Sequence, residues 1–135
     1  MRTNASGTVA AAIVALEGIG IAVLAVRELF ALSAGDTGSV ESAIALLVLT
    51  VIGAVAVLAF AVAILADRSW GRSGGIVTQA LILAVAGGAA TGAYAEPLIG
   101  LVLAVPAVAG LVLLLLAVRD AARRDRANAP AGPQP

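Results

Sequence analysis

A chain of 135 residues that is 61% hydrophobic and only 12% charged lies outside the composition of soluble domains, and its length suits one domain. Eight arginines balance eight acids, so no net field draws in nucleic acid or an acidic partner. The absence of cysteine and histidine removes disulfides, thiolate nucleophiles and imidazole metal ligands together, and no cofactor or metal is expected.

The apolar residues fall in four blocks divided by short polar stretches, and open strand edges are not tolerated in lipid. The expected fold is therefore an all-α membrane protein, a bundle of four transmembrane helices over residues 1–126. The first span, residues 8–30, is long enough to cross a bilayer but carries Glu17. Nine residues at about 1.5 Å each put that acid about 14 Å deep in a layer about 30 Å thick. The length of the run, its central acid and the charged pair Arg27-Glu28 argue for a retained span over a signal peptide. Ala11, Ala15, Gly18, Ala22 and Ala25 share one face of this helix, where small side chains let another helix come close. Glu17 flanks that stripe.

Residues 32–40 have loop composition and contain Ser39, an N-cap for the second span, residues 41–66, with Glu41 at the positive end of its dipole. Ala56, Ala59, Ala63 and Ala66 form a second small stripe, and Thr50 is the one polar residue near mid-depth. The segment DRSWGRSG, residues 67–74, reads as a turn in which Trp70 anchors the chain at the membrane interface. In the third span, residues 75–94, Ala84, Gly88 and Gly92 repeat every four residues, a packing pattern, while Thr78 and Gln79 lie toward the Trp70 end. Tyr94 suits the opposite interface. Pro97 suits the first turn of the fourth span, residues 97–118, and Pro106 inside it removes one backbone hydrogen bond and predicts a kink or hinge. One or two further helical turns carry Asp120 and Arg124 as a pair, and residues 127–135, rich in proline, are expected to be disordered.

Seven arginines, at 2, 68, 72, 119, 123, 124 and 126, fall on one side of the four spans and Arg27 alone on the other. The bias predicts both termini in the cytoplasm. The same cluster offers a weak grip on anionic lipid, diluted by Asp120 and Asp125.

Glu17 is the candidate intramembrane functional residue. An acid at that depth serves in proton or cation coupling, or sits as a neutral carboxyl hydrogen-bonded to a neighbouring helix. Thr50 and Gln79 are the polar side chains placed to partner it. Catalytic residues are not expected: there is no histidine base, no GxSxG and no lysine for a phosphate loop.

The segment AIVALEGIG resembles the first helix of the small multidrug resistance transporters, in which a glutamate binds proton and cationic drug in turn; the resemblance implies that role for Glu17. The chain departs from that family in having no tryptophan or tyrosine in the middle of a span. Over most of its length it is similar to the small four-helix integral membrane proteins of high-GC bacteria, through LEGIGIAVLAVREL at 16–29 and DRSWGRSGGIVTQALIL at 67–83. That likeness implies architecture and a place in the bacterial plasma membrane, and no activity. The helices are expected to pack through small-residue faces on the first three spans, with Gly18, Gly88 and Gly92 as packing residues, and the functional expectation is a non-enzymatic multi-pass protein that associates with itself or with another membrane protein. The alternative is a small proton- or cation-coupled transporter using Glu17.

Overall fold

The computed structural model of the chain describes residues 5–93 and 95–128, so Tyr94, Arg2 and most of the tail expected at 127–135 lie outside the described residues. Four helices follow in order: α1 Ala5–Ser33, α2 Val40–Leu65, α3 Ser69–Thr91 and α4 Pro97–Ala127. All four are long and apolar enough to cross a membrane, the build of a multi-pass membrane protein. At 23 residues the shortest is about 34 Å long, already more than the hydrocarbon layer. Short turns make neighbours antiparallel. The closest pairs are α1 with α2 and α3 with α4, and the α2–α3 and α1–α4 seams close the ring.

Side chains are sorted opposite to a soluble bundle. Leu16, Phe30, Leu49, Val62 and Leu98 are about two-thirds or more exposed, while Ala10, Ala11, Val14, Ala61, Ala107 and the polar Gln79 are buried. Lipid tails accept leucine as well as a core does, so burying large apolar groups adds little, and close backbone approach through small residues decides which faces meet. The core of Ala10, Ala11, Val14, Val57, Ala61, Ile64 and Leu114 lies near the end that holds the α2–α3 turn.

Helix boundaries differ from expectation at α3, which begins at Ser69, six residues before Gly75. The turn needs only Ala66, Asp67 and Arg68: Asp67 takes a left-handed φ of 55°, and the Arg68 N–H donates to Ala63 O at 2.9 Å. Arg72 then holds the turn by donating to Asp67 Oδ1 at 2.7 Å and to its carbonyl at 3.2 Å. Trp70 therefore lies in the first turn of α3, half exposed, edge-on to Phe60 of α2 at 5.9 Å. The glycines of the segment expected as a turn are contact points. A Cβ at Gly71 would stand 2.7 Å from the backbone of Ala63 and Ile64, and one at Gly74 would enter the Phe60 ring. α4 runs through Pro106 as one helix of 31 residues, about 46 Å, so its arginine-rich last turns pass beyond a 30 Å layer.

The packing role of the glycines also needs correction. Gly18 does face α2, where a Cβ would come within 2.8 Å of Leu58 Cδ2. Gly88 has open space where its Cβ would be, and Gly92 is the C-cap of α3, its N–H donating to Gly88 O at 2.8 Å. Gly88 is nine residues from the buried Gln79, half a circle round the helix, so Ala84 and Gly88 look away from the bundle. The α3–α4 seam is instead made at Gly100, where a Cβ would lie 2.8 Å from Ala86 O and from Ala90 Cβ.

Candidate functional site

Glu17 and Gln79 enter the bundle from helices that face each other across it. α1 and α3 run in the same direction, and Glu17 lies twelve residues from the start of α1, Gln79 ten from the start of α3. The two are thus about 18 and 15 Å from the same end. Gln79 Nε2 donates to Glu17 Oε2 at 2.6 Å, a diagonal bond through the centre. The earlier start of α3 explains why Gln79 is at mid-helix, deeper than the sequence placed it.

Room for the carboxamide comes from α4. A Cβ at Gly110 would press on Gln79 at 2.9 Å from Cδ and 3.0 Å from Nε2, so the glycine seats the amide that reaches Glu17. Sequence reasoning missed Gly110; the signal was a glycine in the interior of an otherwise bulky helix.

Thr50 is not a partner of Glu17. Gly18 packs on Leu58, which fixes the level of Glu17 along α2, and Thr50 is eight residues or about 12 Å further on. There Thr50 Oγ1 shares its proton between Glu28 Oε1 at 3.2 Å and Leu46 O at 2.9 Å. Thr50→Val removes both bonds, but Leu46 O keeps its N–H donor within α2 and a side-chain hydrogen bond between membrane helices is worth about 0.6 kcal/mol, so the change is expected to cost under about 1 kcal/mol. Thermal unfolding in detergent checks this, and a loss several times larger would mean Thr50 anchors more than this one bond.

Three buried oxygens, Glu17 Oε1, Glu28 Oε2 and Gln79 Oε1, have no hydrogen-bond partner among the described residues. In the central pair one bond is made while an acceptor on each side stays open. A carboxyl carrying its proton, or any cationic or hydroxylic donor, supplies what both oxygens lack. A cleft of about 370 Å³ reaches Glu17 and is lined besides by Gly20, Ile21 and Leu24 of α1, Ile82 of α3, and Leu103 and Pro106 of α4. Gly20, Leu24 and Pro106 are exposed, so the cleft opens outward along the α1–α4 seam, and apart from Glu17 its walls are apolar.

Among the described residues no three His, Cys, Asp or Glu side chains gather as a metal site. Trp70 and Gly88 both point outward on α3, away from this centre. Comparison of the chain with protein-family models, with curated proteins and with solved structures finds no match.

Proposed function

We propose that the protein is a non-enzymatic membrane component of a bacterial plasma membrane, with both termini in the cytoplasm, that works by helix–helix association with a second copy or another membrane protein. The observation that carries this is the outward face of α3, where Ala84 and Gly88 are exposed and a Cβ at Gly87 or Gly88 would meet nothing among the described residues. The intramolecular seams use other small residues, so this stripe stays available to a helix from outside. Val77, Leu81 and Val85 flank it, all more than half exposed. The arginine asymmetry supports the orientation.

Single cysteines at Val77 or Leu81 test association, since the natural chain has none. Crosslinking in native membranes is expected to give a dimer or a discrete adduct, and Gly88→Leu to reduce it about tenfold while leaving the fold intact. Monomer alone, with no co-purifying membrane protein, would overturn the proposal.

The cleft at Glu17 supports a second reading, coupled movement of a proton or an apolar cation. Its test is uptake in vesicles under an imposed proton gradient, with Glu17→Gln and Glu17→Ala. Coupled uptake lost in both variants would favour it, and wild-type vesicles with no uptake above lipid alone would end it.

A further inference from the structure

We propose that a polar cavity at the arginine-rich end of the bundle binds a phosphate-bearing anion, and that its occupant is the headgroup of an anionic lipid. The cavity, of about 500 Å³, lies between the α2–α3 turn and the last turns of α4. Its charged lining is Arg68, Arg72 and Arg124 against Asp67 and Asp125, three positive groups to two negative, a surplus of one.

The charges inside it are not fully paired off. Asp67 accepts from Arg72 at 2.7 Å and stands 3.9 Å from Arg124, so a single carboxylate serves two guanidinium groups. Arg68 makes no ion pair among the described residues. A second, independent source of positive potential is at the wall. α3, which opens at Ser69, starts without a side-chain cap from its N-cap residue Arg68, and its first-turn N–H groups meet no side-chain acceptor among the described residues. Guanidinium groups together with a free helix N-terminus suit the oxygens of a phosphate ester better than a carboxylate or a halide, because several donors converge on one tetrahedral anion.

The surroundings favour a lipid as the source. The cavity is at the ends of three spans, where headgroups lie, and toward the bilayer on the same helices Val62, Leu65 and Val118 are exposed for acyl chains. Trp70, next to the lining residue Ser69, is half exposed at the same level.

Trp70 is the only tryptophan, which makes its fluorescence a local probe. The full chain is reconstituted in phosphatidylcholine vesicles, and brominated phosphatidylglycerol or brominated phosphatidylcholine is titrated in. The phosphatidylglycerol is expected to quench Trp70 at several-fold lower mole fraction. Arg68→Gln and Arg124→Gln are each expected to weaken that preference about fivefold, while Arg119→Gln, at the same end but outside the cavity, and Arg27→Gln, at the other end, leave it unchanged. Displacement of the brominated lipid by millimolar inorganic phosphate would keep the phosphate chemistry and assign a soluble source. Equal quenching by the two lipids, or an Arg119→Gln loss equal to that of Arg68→Gln, would mean only diffuse attraction and would overturn the site.

Discussion

Alanine at Gly71 is expected to be the most damaging single-methyl change in the protein, with a loss of about 3 kcal/mol, the upper end of overpacking costs. The added Cβ would lie 2.5 Å from Ala63 Cβ and 2.7 Å from the Ala63 carbonyl carbon and the Ile64 nitrogen. A flexible side chain could swing aside, but backbone cannot, so α3 must back away from α2 along its first two turns. The core residues Ile64 and Leu114, which pack over the neighbouring Gly75, are then disturbed together. The same change at Gly88 is expected to do the reverse. Nothing lies within 4 Å of the new methyl, and a helix interior prefers alanine to glycine by about 0.5–1 kcal/mol. Thermal or denaturant unfolding of the two variants in one detergent decides the matter. Equal effects at the two positions would show that the faces of α3 have been assigned wrongly.

Breaking the central pair from one side is the second large effect. Gln79→Leu removes the only side-chain donor to Glu17 among the described residues, and Glu17→Leu strands the carboxamide of Gln79, which is 0% exposed. Each single change leaves a polar group without its partner in an apolar bundle, at an expected cost of about 1–3 kcal/mol. The double variant leaves neither, and is expected to recover most of that loss, so the double-mutant cycle shows a coupling of about 1 kcal/mol or more. Gly110→Ala belongs to the same unit. Its methyl would push the amide off Glu17, so it is expected to destabilise the natural chain and to matter little once residue 79 is alanine. Strictly additive losses across Glu17, Gln79 and Gly110 would show that the three do not act together.

Much of the fold was legible because the membrane imposes it. Four apolar runs of sufficient length leave little choice but four helices, and Ser39 and Pro97 mark helix starts by chemistry that acts locally: the Ser39 hydroxyl accepts from the Ser42 N–H, and Pro97 opens α4. What failed was anything that depends on a neighbour. DRSWGRSG has the composition of a loop, yet its glycines are needed because α2 comes so near, and the salt bridge from Arg72 lets the reversal close in three residues. On α3 the sequence offers two small-residue faces, one through Gly71 and Gly75 and one through Ala84 and Gly88. Periodicity ranks them alike, and only the position of the partner helices distinguishes inside from outside.

The site was legible in part for the same reason. A lone acid in a span must meet something polar, which left Thr50 and Gln79 as the choices. Depth counted from the wrong start of α3 made Gln79 look too shallow. Thr50 is set aside by the register of α1 on α2, which Gly18 and Leu58 determine and which no feature within either helix announces. Gly110 could be recognised only after Gln79 was seen to need its space.

The uneven distribution of the core has a mechanical consequence. Beyond Ala25 in α1 and before Ala54 in α2 no residue is buried, so these stretches of the first two helices are held by little more than the Thr50–Glu28 contact, while α3 and α4 still meet at that end through Gly100 and Ala90. The molecule is built like tweezers, riveted at one tip, with Glu17 and Gln79 near the fulcrum. Amide protons in the unriveted arms should exchange with solvent or detergent-phase water well before those near Val14, Ala61 and Leu114, and a small spreading of the arms would widen the α1–α4 seam first.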